Sequence, residues 1–217
     1  MTARLLLVRH GQTVWHAENR YAGISDVPLT DEGDRQARAL ADWAVGRGVG
    51  ALACSPLDRA RRTALPAARA LGLEPQVVDG LREVDFGWGE GRTLAEMEAE
   101  DPEIVRAFRE DADKGAFPGS EPPAAVAERV GAALRGLARE HPGRTVLVVA
   151  HNTALRVGLC ALLGIPVGRY RLVLPRLDNA AVTEIEMDGE RTALRSLNVP
   201  TAPGDHGRAT VREGAAR

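Results

Sequence analysis

Thr145-Val146-Leu147-Val148-Val149-Ala150, TVLVVA, runs straight into His151, and its reading decides the class of fold. Six uncharged residues with no polar–apolar alternation read as a strand buried on both faces, which a sheet covered by helices on each side provides. The opening run Leu5 to Arg9 does not alternate either, and it too ends at a histidine, His10. Both runs are expected to be central strands. In an open parallel sheet ligands bind outside the carboxyl ends of the strands, so His10 and His151 are expected to meet in one crevice although far apart in sequence. Either histidine alone is as simply read as a residue that closes a strand end and bonds backbone; two in the same place favour the crevice.

Outward from these strands the chain alternates short apolar runs with helical patterns, the mark of an α/β sheet. Thr30 to Arg47 predicts a helix with Thr30 as N-cap and Ala37, Leu40, Ala41 and Ala44 on one face. A strand over Ala51 to Cys54 leads into a helix over Leu57 to Leu71, stopped by Gly72. Val77 and Val78 suggest a further strand. Helices are expected over Leu94 to Asp111 and Glu121 to Glu140, around an irregular loop KGAFPGSEPP (114–123), and over Ala154 to Leu163. Ala181 to Met187 and Thr192 to Leu197 read as a hairpin turned at Asp188-Gly189, so the sheet should end antiparallel. The expectation is a three-layer α/β/α sandwich with a mostly parallel sheet. It forms one domain over 1–200, with a helical cap over 86–121 and a mobile tail over 201–217 that has no apolar period.

Composition agrees. The 217 residues are 44% hydrophobic and 27% charged, with Lys+Arg 28 against Asp+Glu 30, as in an ordinary globular protein. A chain this long buries about 70% of its unfolded surface and needs no disulfide or structural metal. The formal charge of -2 supports neither a nucleic-acid nor an anionic-membrane partner. The apolar run before Arg9 is too short for a signal peptide or a membrane span, so a cytoplasmic setting is expected. Cys54 and Cys160 form no CxxC and have no histidine cluster near them in sequence; two buried, inert thiols are the simplest reading.

Arg9 precedes His10, and Arg59, Arg61 and Arg62 open the helix after the strand at Ala51 to Cys54. Guanidinium forks match phosphoryl oxygens, and a helix N-terminus adds oriented N–H groups. Arg59, nearest the helix start, is the better ligand; Arg61 and Arg62 read as a solvated face. His141 and His206 read as surface residues. Phe86 and Trp88 follow Glu83 and suggest either an apolar wall at a site or core packing.

Arg9-His10-Gly11-Gln12-Thr13 is an RHGxT motif. The same order of blocks continues through Trp15, Arg20, Gly23, Asp26, Pro28-Leu29-Thr30, Gly33 and Gln36-Ala37. Then come Ser55-Pro56-Leu57-Asp58-Arg59-Ala60, Leu81-Arg82-Glu83, Phe117-Pro118-Gly119 and Val148-Val149-Ala150-His151. On these residues the chain resembles the histidine phosphatase superfamily, also called phosphoglycerate-mutase-like, over about residues 4 to 198, with five ordered blocks where one tripeptide would be weak.

The resemblance implies a metal-independent phosphomonoesterase in which His10 is the nucleophile and forms a phosphohistidine. Arg9, Arg59 and His151 would hold the equatorial phosphoryl oxygens, and Glu83 would be the proton donor to the leaving oxygen. Gly11, Thr13, His16, Gly23 and Asn152 are the expected substrate-side residues. Two of them depart from the family pattern: His16 stands where Asn is usual, and Asn152 where Gly is usual. His16 is expected to donate to phosphate or to charge near neutral pH, Asn152 to narrow the rim.

The expected substrate is a small phosphorylated metabolite of sugar or glycerate phosphate type, with no cofactor and no metal; a homodimer is a family-level expectation. A phosphoglycerate-type mutase and a non-catalytic phosphate- or protein-binding module are the alternatives. Against the mutase, Val84 to Ala124 carries 11 acids and 4 bases. If that segment covers the site, a substrate with one phosphate and a neutral or cationic remainder should fit best, unless these charges merely coat solvated helix faces.

Overall fold

The structure, a computed structural model, describes residues 1–189 and 191–202. From residue 203 on, the tail expected over 201–217, with His206, lies outside the described residues.

Six strands form one sheet: β1 (Ala3–Arg9), β2 (Val49–Cys54), β3 (Gln76–Val77), β4 (Thr145–Ala150), β5 (Val182–Asp188) and β6 (Arg191–Val199). Their order is β3-β2-β4-β1-β5-β6. The first four run parallel and the β5–β6 hairpin antiparallel, so this is the mixed α/β sheet expected, and β1 and β4 lie side by side at its centre.

Strand side chains alternate between two cores. Leu5, Leu7, Val146, Val148 and Ala150 face one, and Leu6, Val8, Leu147 and Val149 the other. Helices α1 (Asp31–Ala44) and α2 (Asp58–Leu71) cover the second face. Helices α3 (Leu94–Glu100), α4 (Pro102–Glu110), α5 (Pro123–Glu140) and α6 (Asn152–Leu162) contribute to the first. Each fully buried Leu or Val contributes about 1.5–3 kcal/mol, which is why both central strands are apolar on both faces.

Local signals explain the ends of elements. The Thr30 hydroxyl accepts from Gly33 N–H at 3.1 Å and caps α1. Gly72 closes α2 at φ 65°, where a Cβ would be strained. The single helix expected over Leu94 to Asp111 is instead two. Pro102 has no N–H and disfavours the helical region for the residue before it, so Asp101 is extended at φ -146° and ψ 93°. Asp101 then starts α4, its Oδ1 accepting from the N–H groups of Glu103 and Ile104 at 3.1 Å each. A short helix α7 (Tyr170–Val173), in a Gly- and Pro-bounded stretch that gave no periodic signal, completes the set.

The segment 86–121 packs into the first core through Phe86, Met97, Val105, Phe108, Ala112 and Phe117. Among the described residues, no helix is long and apolar enough to cross a membrane.

Candidate active site

The register of the central strands builds the site. Arg9 pairs with Ala150, so the next residue on each chain, His10 and His151, leaves the sheet at the same level. His10 N–H donates to the Ala150 carbonyl at 2.9 Å, and the two imidazole centroids are 5.1 Å apart. Both rings are buried. The turn beyond His10 must be glycine, because a Cβ on Gly11 would stand 2.6 Å from the Gly33 carbonyl oxygen. Its N–H donates to Thr63 Oγ1 at 2.9 Å, so Gly11 supports the turn and is not among the cleft-lining residues.

His10 Nδ1 is 2.7 Å from the Gly11 carbonyl oxygen. A carbonyl only accepts, so Nδ1 carries the proton and Nε2 keeps its lone pair. Burial, together with His151, Arg59 and Arg9, drives the His10 basicity well below the ordinary histidine range, which keeps the ring neutral and nucleophilic.

Arg9 is pinned at both Nη atoms: Nη1 donates to the Leu177 carbonyl at 2.7 Å and Nη2 faces His16 Nε2 at 2.6 Å. Asn179 Nδ2 lies 3.2 Å from the same nitrogen while donating to the His10 carbonyl at 2.8 Å. His16 Nε2 thus meets only donors and accepts, while its Nδ1 faces the Thr13 N–H at 3.0 Å and lies 2.8 Å from Thr13 Oγ1. Burial and the Arg9 charge hold the His16 pKa down at about 3. The expectation that His16 charges near neutral pH, or donates to phosphate, is therefore corrected: its Nε2 accepts from a buried guanidinium that leaves no room for a second cation.

Arg59 is fully buried, its Nη atoms donating to the carbonyls of Ser25 (2.8 Å), Ala22 (3.2 Å) and Gly23 (2.6 Å). Gly23 serves this contact; a Cβ there would meet the Val84 carbonyl oxygen at 2.1 Å. His151 Nε2 sits 2.7 Å from Ser55 Oγ. That leaves three buried nitrogens without a hydrogen-bond partner around one imidazole: Arg9 Nε, Arg59 Nε and His151 Nδ1. Buried polar atoms are rarely left so.

Glu83 is buried at the amino end of α6. Its Oε1 accepts from the N–H groups of Val84 (3.0 Å) and Ala154 (2.7 Å), its Oε2 from Thr153 N–H (3.0 Å). Oriented N–H groups and the helix dipole fix this carboxyl group in place.

Arg9, His10 and Glu83 open on one cleft of about 390 Å³, which Thr13, His16 and Asn152 also line. Arg59, His151 and Gly23 lie behind that surface. Asn152 Oδ1 accepts from Leu177 N–H at 3.1 Å, so its side chain ties α6 to the 174–178 loop. Phe86 lines the cleft and Trp88 does not; Arg61 and Arg62 are exposed.

The acidic cap does not act as the charge count suggested. Among the described residues, six of its 11 acids pair with arginines: Glu96 with Arg20, Glu98 with Arg109, Glu100 with Arg92, Glu103 and Glu110 with Arg106, and Glu121 with Arg129. Glu83 is the one carboxylate lining the cleft among the described residues, against Arg9, Arg20, Arg156 and Arg171. The wall is cationic. Sequence reasoning missed Arg156, Arg171, Tyr21 and Asn179; the visible clue was one arginine inside the otherwise apolar ALRVGLCALL (154–163). Among the described residues no group of three or more His, Cys, Asp or Glu is placed to hold a metal ion.

Comparison with known proteins agrees with this geometry. Residues 5–200 match the family model of the histidine phosphatase superfamily (branch 1). The chain is 33% identical over 202 residues to phosphoserine phosphatase 1 of Hydrogenobacter thermophilus, covering 93% of this chain and 95% of that protein. It is 34% identical over 199 residues to a probable phosphoglycerate mutase, GpmB, of Salmonella newport, covering 92% of each. It spans about half the length of the bifunctional protein Rv2228c of Mycobacterium tuberculosis, 40% identical over 197 residues, or 90% of this chain and 53% of that one. Among solved structures, the mycobacterial glucosyl-3-phosphoglycerate phosphatase Rv2419c matches with a TM-score of 0.83 at 31% identity, over 92% of this chain and 100% of that chain.

Proposed function

Given that the chain belongs to branch 1 of the histidine phosphatase superfamily, we propose that it is a metal-independent phosphomonoesterase acting on a small phosphorylated metabolite of sugar or glycerate phosphate type. The observation that carries this reading is the set of unpartnered nitrogens, Arg9 Nε, Arg59 Nε and His151 Nδ1, around a neutral His10 whose Nε2 lone pair is free. A phosphoryl group spreads its charge over three equatorial oxygens in the transition state, and three unpartnered nitrogens beside the nucleophile support a role in receiving them.

In the first step the His10 Nε2 lone pair forms a bond to phosphorus as the P–O bond to the alcohol breaks. Glu83 gives its proton to the departing oxygen, which would otherwise leave as a poor alkoxide. In the second step a water oxygen forms the new P–O bond, Glu83 takes back a proton, and the electron pair of the P–N bond returns to His10. Alcohol and inorganic phosphate leave, and both residues are restored. His16 acts by holding Arg9, Asn179 by donating to the His10 carbonyl, and Thr13 acts through His16. A cytoplasmic setting belongs to the same reading and fits the two free, buried thiols of Cys54 and Cys160.

The test is phosphate release from a panel of phosphomonoesters with EDTA present, beside His10→Ala and a phosphoglycerate isomerisation control. Release that survives EDTA and vanishes in His10→Ala supports the reading. Isomerisation without release would make the protein a mutase, and silence from the folded protein on every ester would leave a binding module.

A further inference from the structure

The cleft holds more positive charge than one phosphoryl group accounts for, and the surplus has a definite place. Arg156 is buried at 4% exposure in the middle of α6, yet it lines the cleft. Its Nε donates to the Leu174 carbonyl, its guanidinium lies 4.6 Å over the Tyr170 ring, and its two Nη atoms have no hydrogen-bond partner among the described residues. Arg171 lines the same cleft with its guanidinium 4.7 Å over the Phe108 ring and its Nη1 3.3 Å from the Tyr21 hydroxyl. Neither arginine has a carboxylate within 4 Å among the described residues, whereas Arg20 at the same cleft is paired with Glu18 and Glu96. Ring stacking holds both planes while leaving the Arg156 Nη atoms free to bind, with Arg171 Nη1 turned to the Tyr21 hydroxyl. An unpaired guanidinium as buried as Arg156 is costly unless an anion joins it.

We propose that Arg156 and Arg171, with the Tyr21 hydroxyl, form a subsite for a carboxylate on the alcohol portion of the substrate, so that the ester hydrolysed is a phosphorylated hydroxy acid. This deepens the phosphatase reading and rests on it. Guanidinium forks match carboxylate and phosphate alike, so the choice of a carboxylate over a second phosphate rests on the small number of donors at the subsite. It lacks the enclosing set of donors found around His10. Neutral or cationic alcohols, the remainder expected from the acidic cap, leave both arginines unpaired.

Matched pairs test this. Phosphoserine and phosphoethanolamine differ by the carboxylate alone, and 3-phosphoglycerate and glycerol 3-phosphate by a carboxylate in place of a hydroxymethyl group. Dissociation constants are measured by calorimetry on the His10→Ala protein, which prevents turnover during the titration, and kcat/KM on the wild type. The carboxylate member of each pair should bind and react roughly 10- to 100-fold better, the worth of one or two charge-assisted contacts. That ratio should collapse towards one in Arg171→Gln and Arg156→Met. Arg171 is half-buried at the rim, so its variant keeps the test decisive if Arg156→Met fails to fold. Equal binding within both pairs, or a preference that survives Arg171→Gln, overturns the subsite. A tenfold preference for 2,3-bisphosphoglycerate over 3-phosphoglycerate overturns the carboxylate assignment. A carboxylate preference in binding without phosphate release would keep the subsite and remove the hydrolase reading; binding of no ester at all would remove both.

Discussion

At the scale of single residues the site is a set of protons fixed by neighbours. The Gly11 carbonyl puts the His10 proton on Nδ1, and three backbone N–H groups hold the Glu83 carboxyl. Two variants separate their roles. His10→Ala should abolish turnover while the melting curve stays that of a folded protein; near-wild-type activity would remove the phosphohistidine. Glu83→Gln should slow alkyl phosphates by about 10²- to 10⁴-fold and an aryl phosphate far less, because a phenolate leaves without full protonation. Equal losses on both would mean that Glu83 is not the acid. His10, Glu83, Arg9 and Thr13 were legible as motif positions, since motifs record which residue types the chemistry needs. The hydrogen-bond partners were not, because Thr63 inside α2, Ser55 just beyond β2 and Asn179 ahead of β5 come together only in the folded sheet. His16 shows the limit most clearly: its identity was visible, but its basicity depends on Arg9 and burial.

Elements were legible where one local rule acted alone. TVLVVA gave β4 to the residue, and Thr30 and Gly72 marked the start of α1 and the end of α2 as capping chemistry requires. The break at Asp101-Pro102 was overlooked because apolar periodicity runs on across it, although proline made the break obligatory. The short α7 has no period to detect, being held by Tyr170 in the core. Thr30 also links an element to the site. Its hydroxyl lies 2.9 Å from Gln12 Oε1, and its N–H donates to the Gln12 carbonyl at 3.0 Å, two residues beyond His10. Thr30→Ala should therefore cost about 1 kcal/mol in urea unfolding, the usual worth of an N-cap, and Thr30→Ser should recover most of it. No loss in Thr30→Ala would show that the backbone contact alone anchors the helix to the loop.

For the molecule as a whole, the concentration of cations at one cleft makes stability depend on pH in a direction that can be worked out. His10 and His151 have basicities pushed well below the ordinary histidine value by burial and by neighbouring cationic side chains, and His16 is held at about 3. In the unfolded chain all three titrate near 6.5. Between that value and their lowered folded values the unfolded state binds protons that the folded state refuses. Stability is therefore full above about pH 6.5 and is lost as the pH falls through the window, by up to about 1.4 kcal/mol per pH unit for each histidine. The loss from the three adds in one direction, against the 5–15 kcal/mol that holds a domain folded. Urea unfolding from pH 7.5 to 5 should show a steep fall before most carboxylates begin to protonate. His16→Asn should keep an acceptor for Arg9 in its side-chain oxygen and remove a titrating ring, so its slope should be shallower than that of the wild type. An unchanged slope would mean that the His16 ring takes up its proton in the folded protein as readily as in the unfolded chain, and the Arg9–His16 contact would then not be what fixes the cradle.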